Sequence, residues 1–367
     1  MDIFPLLQLA KAKGASDLHL VVSCPPLIRV NGSLAPADDR QPLTSDDTKQ
    51  VINQITSDSQ RSDFHSNLEL DFGYDVPDVG RIRCNAAWQR GTVSLVIRLL
   101  PPVIPTIEEL GLPEVCRELV LKRRGLVVVS GPTGSGKSTT LAAMINHLNN
   151  VEGRRLVTIE DPIEYVYTNL KCTITQRELG NDTRSFAEAL KHVLRQDPDV
   201  ILVGEMRDLE TASAALTVAE TGHLVLTTGH APSASQAIER ITDLFPPHER
   251  HLAQSQIASL LIGVLSQALV PKADGSGRVA AVEVMLANSA VRNLIRDGKI
   301  FQLPNTIRMN AQHGMKLLDQ ALIDLYKGDL ISIENLLSFC DDPDEVTKLI
   351  GHTKTRQPVT PGINLNG

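Results

Sequence analysis

Residues 131–138 read Gly131-Pro132-Thr133-Gly134-Ser135-Gly136-Lys137-Ser138, with the apolar run Leu126–Ser130 before them and a helical stretch after. The segment fills every fixed position of the pattern G-x-x-x-x-G-K-[ST] between a strand and a helix, the phosphate-binding P-loop. Gly131, Gly134 and Gly136 let the backbone turn tightly and aim its N–H groups at phosphate oxygens, and the dipole of the following helix favours the same anion. Lys137 is expected to reach the β and γ phosphates of ATP, and Ser138 to ligate Mg²⁺. Pro132, Thr133, Ser135 and Thr139 complete the expected nucleotide-binding set. A P-loop alone implies only nucleotide binding; its companions decide whether hydrolysis follows.

In Val200-Ile201-Leu202-Val203-Gly204-Glu205, four apolar residues form a buried strand ending in an acid. Such a strand is expected beside the P-loop strand, which puts Glu205 at the carboxyl edge of the sheet to orient or deprotonate the attacking water. Val157-Thr158-Ile159-Glu160-Asp161-Pro162-Ile163-Glu164 is a further strand edge with three carboxylates. Glu160 and Glu164 are the candidates to hold Mg²⁺ through water, since that ion keeps much of its hydration shell, and Glu164 is a catalytic candidate as well. Thr221-Gly222-His223 and Thr227-Thr228-Gly229-His230 bracket a fourth strand, and a neutral His230 there is a candidate hydrogen-bond donor to the γ-phosphate.

Outward from this core, Leu126–Ser130, Arg155–Ile159, Val200–Val203 and Leu224–Thr227 alternate with helical stretches. That rhythm predicts an α/β fold with a largely parallel sheet covered by helices. Leu260-Leu261-Ile262-Gly263-Val264-Leu265, too short to span a membrane, reads as a buried core helix. Towards the N-terminus, Pro101-Pro102-Val103-Ile104-Pro105 marks a linker over residues 101–112, because three prolines favour an extended chain. Residues 1–100 then read as a small α+β domain. Ile3, Leu6, Leu7 and Ala10 recur at helical spacing up to Gly14, and Asn31-Gly32 is a hairpin turn between short strands. Thr44 caps a second helix, and 68–76, 81–88 and 93–100 are three more strands. Side-chain alternation puts Arg81, Arg83 and Asn85 on one strand face, where the arginines either meet solvent or reach a phosphate at a domain or subunit boundary; Arg98 poses the same choice. Residues 113–352 are expected to form the nucleotide-binding domain with C-terminal helices, and the polar 353–367 segment reads as a mobile tail.

Composition narrows the class. A 42% hydrophobic, 22% charged chain of 367 residues can bury a sizeable core, and its net charge of −7 argues against direct nucleic-acid binding. The N-terminus lacks the basic and apolar regions of a secretory signal, so the mature chain is expected to start there. Five scattered cysteines with no C-x-x-C pair suit a reducing cytoplasm rather than a zinc site.

Taken in order, the P-loop, the acid-rich edge around Glu160–Glu164, the Gly204-Glu205 strand end and the histidines at 223–230 resemble the secretion-type ATPase superfamily of ring-forming motors, and within it the type IV pilus retraction ATPases. The resemblance extends over nearly all of residues 1–350. It includes Gly14-Ala15-Ser16-Asp17-Leu18-His19-Leu20, Arg81-Ile82-Arg83-Cys84-Asn85-Ala86, Ile107-Glu108-Glu109-Leu110-Gly111-Leu112, Arg195-Gln196-Asp197-Pro198-Asp199 and Ala290-Val291-Arg292-Asn293-Leu294-Ile295-Arg296. In the last, Val291, Leu294 and Ile295 are expected inward and Arg292, Asn293 and Arg296 outward. Pilus-extension and type II secretion ATPases usually add an N-terminal domain and a tetracysteine motif that this sequence lacks.

The resemblance implies a RecA-like P-loop NTPase domain preceded by a PAS-like domain, and a homohexamer that hydrolyses ATP with Mg²⁺ at the inner face of the cytoplasmic membrane. It implies as partners an inner-membrane pilus platform protein and a paralogous retraction ATPase. It also makes Arg81, Arg83 and Arg98 candidates to contact nucleotide phosphates as arginine fingers. Two features depart from the family pattern: Gly229-His230-Ala231 stands where Leu usually precedes and Thr follows the histidine, and Ala87-Trp88-Gln89-Arg90 looks more like the accessory retraction paralogue. An accessory role, a protein or DNA traffic ATPase and a slowly hydrolysing scaffold are the other readings.

Overall fold

The computed structural model describes residues 1–30, 32–100 and 103–351. Asn31 of the expected hairpin turn, Pro101 and Pro102 of the expected linker and the expected tail at 353–367 lie outside the described residues.

The N-terminal sheet has β1 (Asp17–Leu20), β2 (Leu27–Val30), β3 (Ser33–Pro36), β4 (Glu69–Val76), β5 (Gly80–Gln89) and β6 (Thr92–Leu99), in the order β3-β2-β1-β6-β5-β4. Its described pairings are antiparallel. The expected hairpin pairing is present, with Val30 opposite Ser33. One sheet face buries Leu18, Leu20, Ile82, Leu95 and Ile97 with Leu6 and Leu7 of the Phe4–Ala12 helix. Thr44 caps the Ser45–Ile55 helix through a reciprocal box with Asp47, as the sequence indicated. A second box, Ser57 with Gln60, starts the Asp58–Asn67 helix, which the sequence reading missed. That helix carries one buried residue, Phe64, too few for an apolar stripe.

The larger sheet has β7 (Gly125–Ser130), β8 (Arg155–Glu160), β9 (Thr173–Glu178), β10 (Val200–Val203), β11 (Leu224–Thr228), β12 (Leu261–Pro271) and β13 (Arg278–Leu286), in the order β13-β12-β7-β11-β10-β8-β9. The run β11-β10-β8-β9 is parallel, so Thr228, Val203, Glu160 and Glu178 end at one edge. β10 is buried throughout, as a central strand of such a sheet must be.

Two expectations differ from the structure. The strand ending before Glu205 is not the neighbour of the P-loop strand, because β11 lies between β7 and β10. Leu260–Leu265 is not a core helix either. The Arg250–Leu260 helix stops at Leu260, and Leu261 opens β12, which pairs along its length from Gly263 with β13. Periodicity cannot separate a strand buried on both faces from a short buried helix.

By compactness the chain divides into two units, one comprising 1–109, 116–126 and 138–228, the other 110–115, 127–137 and the residues from 229 on. Within the second, buried Glu283 accepts hydrogen bonds from the backbone N–H of Ala234 at 2.6 Å and of Leu318 at 3.2 Å, tying two helix starts to β13. Among the described residues no helix is long and apolar enough to cross a membrane.

Candidate functional site

The phosphate loop belongs to the second unit up to Lys137. Lys137 is 9% exposed, and its Nζ donates to the carbonyls of Gly131 at 2.8 Å and Pro132 at 3.1 Å. The ammonium is therefore held inside the loop that the pattern assigns to phosphate. Ser135 Oγ is buried with no hydrogen-bond partner among the described residues. A buried hydroxyl with no protein partner is one that a bound polar group or a water can satisfy.

Sequence reasoning missed the residue that braces this loop. Gln267, in the middle of β12 and 2% exposed, donates from Nε2 to the Ser135 carbonyl at 2.6 Å. Its own backbone carbonyl oxygen occupies the space where a Cβ on Gly131 would stand. Gly131 also has φ of 138°, a region that side chains avoid. The only signal in the sequence was an amide inside an apolar run, which a helix reading hid. Gly131→Ala is expected to cost about 2–4 kcal/mol from forced backbone strain and a steric clash. Nucleotide affinity should fall with it; a thermal melt alongside titration of a fluorescent ADP analogue measures both.

His230 is exposed, and its neighbours in the chain pack closely on the end of β7. Ser130 Oγ donates to the Ala231 carbonyl at 2.7 Å, and a Cβ on Gly229 would approach that same hydroxyl to 3.1 Å. Glycine at 229 lets the chain run close against the end of β7.

The acidic strand ends belong to the first unit. Glu160 is 9% exposed at the end of β8, where it accepts from Thr158 Oγ1 at 2.6 Å and Gln176 Nε2 at 3.2 Å. Burial pushes its carboxyl up to about 7, outweighing those hydrogen bonds. Asp161 is also raised, first by burial and then by the negative charge of Glu205. Glu205 follows Gly204, whose N–H donates to the Ile159 carbonyl at 2.8 Å, and it pairs with Arg207 Nε at 2.6 Å.

The raised Glu160 predicts a measurable pH effect. The folded chain holds that proton up to about pH 7 while the unfolded chain releases it near its ordinary 4.5, so stability of the metal-free protein should fall as pH rises across that window. The full loss is about 3–4 kcal/mol at about 1.4 kcal/mol per pH unit. Glu160→Gln should flatten the fall, as denaturant melts of both proteins at pH 5 and pH 8 would show.

Of the N-terminal arginines, Arg83 and Arg98 line one cavity of about 240 Å³ together with Ser16, Glu164 and Tyr165. Arg98 Nε also holds Asp17 at 2.9 Å, its partner across the β1–β6 ladder. Arg81 lies on the same strand face as Arg83, but its guanidinium bridges Asp75 and the buried Glu178 at the end of β9. In this state it is an ion-pair partner, and the strand alternation gave no hint of Glu178, 97 residues away. Arg292 likewise differs from its expected outward pose, since it donates to the carbonyls of Ala258, Ser259 and Ala287. Val291 and Ile295 are buried as expected and Leu294 is half-buried.

Taken unit by unit, the donors suit the chemistry of phosphate or of a hard cation. The glycine cradle, the enclosed lysine and the orphaned Ser135 hydroxyl suit phosphate; the Ser138 and Thr139 hydroxyls and the Glu160 and Glu164 carboxylates are hard oxygen donors. Among the described residues no three His, Cys, Asp or Glu side chains converge as a metal cage. Mg²⁺ does not require one, as it usually takes one or two carboxylates plus substrate phosphates.

A P-loop at the head of a RecA-like sheet with acids at its carboxyl edge defines a motor-type ATPase, and the family model described as "Type II/IV secretion system protein" matches residues 81–298. The chain belongs to that family. More particularly, it is 48% identical over 335 residues to the type IV pilus retraction ATPase PilT of Pseudomonas aeruginosa, covering 91% of this chain and 97% of the relative. To the type IV pilus ATPase PilU of the same organism it is 41% identical over 350 residues, 95% of this chain and 91% of the relative. A crystal structure of the pilus retraction motor PilT with bound ADP superposes with a TM-score of 0.88 at 43% identity, covering 95% of this chain and 99% of the other.

Proposed function

We propose that the chain is a motor ATPase that couples ATP hydrolysis to retraction of type IV pili, supporting twitching motility. The observation that carries this is the 48% identity along 97% of PilT, which spans the N-terminal domain as well as the engine. In this reading Gly131–Gly136 present backbone N–H groups to the phosphates, Lys137 carries positive charge to the β and γ phosphates, and Ser138, Glu160 and Glu164 are the residues that would hold Mg²⁺. When bound, Mg²⁺ neutralises charge on the phosphates. Glu205 orients the attacking water and accepts its proton, while His230 hydrogen-bonds the γ-phosphate. Arg83 and Arg98 contact phosphate as arginine fingers; Arg81 does so only after leaving Glu178.

The division into a PAS-like domain to residue 100, a linker at 101–112 and a RecA-like domain to 352 lets the two domains close and reopen with each ATP. The working form is a homohexamer at the cytoplasmic face of the inner membrane, acting on a pilus platform protein of the PilC type. A PilU-like accessory role is the second reading, favoured by the Ala87-Trp88-Gln89-Arg90 sequence; Trp88 stacks on Phe64 with ring centroids 5.8 Å apart. Native mass spectrometry with a phosphate-release assay tests the proposal. Six-subunit particles with Lys137-dependent turnover support it, and monomers that bind ATP without turnover refute it.

A further inference from the structure

β9 lies outside every motif, yet its side chains hold the acidic loop in place. Residues two apart in a strand share a face, so Gln176 and Glu178 point the same way. The parallel register sets Gln176 beside Thr158 and Glu178 beside Glu160. From there Gln176 uses both ends of its amide. Its Oε1 accepts the Tyr167 N–H at 2.9 Å, and its Nε2 donates to the Tyr165 carbonyl at 2.7 Å and to Glu160 Oε1 at 3.2 Å. Glu178, 2% exposed, accepts the Ile163 N–H at 3.1 Å together with the Arg81 guanidinium on Oε2, and Asn181 on Oε1.

These two side chains therefore pin the backbone on both sides of Glu164. The 161–168 segment has no helix or strand of its own, and partly buried N–H and C=O groups in such a segment need partners from elsewhere. One consequence reaches the phosphate-loop helix. The Tyr165 hydroxyl, placed by the loop that Gln176 fixes, lies 3.0 Å from Thr139 Oγ1. Edge strand, acidic loop and helix start form one hydrogen-bonded chain.

We propose that Gln176 and Glu178 are positioning residues that fix the 160–167 loop, so that Glu160 and Glu164 present their carboxylates in one geometry for hydrolysis. This rests on the ATPase reading above. Ordinary loop packing is the competing explanation, and it predicts loss of stability without a selective loss of turnover.

The test uses the full chain with Gln176→Met, of similar length but without polar atoms, and Glu178→Gln, which keeps an acceptor for Ile163. Amide hydrogen exchange is read by mass spectrometry on protein without nucleotide or metal, beside steady-state ATPase kinetics. In Gln176→Met exchange should quicken by about tenfold at the Tyr167 amide and its immediate neighbours alone, kcat should fall about tenfold, and KM for ATP should stay within about twofold, whereas Glu178→Gln, which loses the Arg81 ion pair but keeps the Ile163 acceptor, should leave exchange at 163 slow and lower kcat less. Gln176→Glu retains the acceptor for Tyr167 and should restore slow exchange at that amide only. If Gln176→Met does not fold, Gln176→Glu carries the kinetic comparison. Unchanged exchange and kcat overturn the proposal, as does faster exchange across the whole chain with a matching fall in melting temperature. If the unaltered chain shows no Lys137-dependent turnover, the ATPase reading fails instead, and the exchange data alone decide whether β9 fixes the loop.

Discussion

Lys137→Ala is expected to abolish ATP hydrolysis, lowering kcat by about 10³-fold or more. The side chain is enclosed by the loop, with Nζ on the carbonyls of Gly131 and Pro132. Alanine removes a full positive charge from a water-poor site, where preorganised charge contributes most to stabilising the phosphoryl-transfer transition state. It also takes away the donor that those two carbonyls share, so the empty loop should lose about 1–2 kcal/mol of local stability. Phosphate release and nucleotide titration on one preparation separate these effects. Turnover within about tenfold of the unaltered chain would place hydrolysis elsewhere.

Glu205→Gln should behave differently. The change keeps size and shape but removes the proton acceptor, so kcat is expected to fall about 10²–10³-fold while nucleotide affinity stays within about threefold. The geometry favours this split: Glu205 is held by Arg207 at the end of a fully buried strand, and glutamine can keep a hydrogen bond to that guanidinium. A parallel loss of affinity and turnover would assign Glu205 to binding. Single-turnover measurements with saturating enzyme distinguish the two.

Much of this engine was legible in the sequence because strong local rules apply there. Glycines, a lysine and a hydroxyl at fixed spacing have few meanings, and the apolar runs of β7, β8, β10 and β11 are short and bounded by turn residues. The caps at Thr44 and the inward Val291 and Ile295 followed from equally local rules. What stayed hidden depends on partners distant in sequence. Gln267 meets Ser135 from 132 residues away. Arg81 finds Glu178, and β9 with its polar residues carries no apolar pattern to announce a strand. Strand order was misjudged for the same reason, since no run of residues encodes which strand inserts between two others. The Leu260–Leu265 run failed differently: burial on both faces erased the alternation that tells strand from helix.

Hydrolysis at this site is expected to drive pilus retraction. The most direct measurement of this is imaging of labelled pili, with twitching motility, in the source cell after deletion of the gene and return of either the native chain or the Glu205→Gln variant. Cells lacking the chain are expected to extend pili without retracting them, the native chain to restore retraction, and the variant not to. Retraction at the native rate in the deletion strain, or restored by the variant, would contradict it.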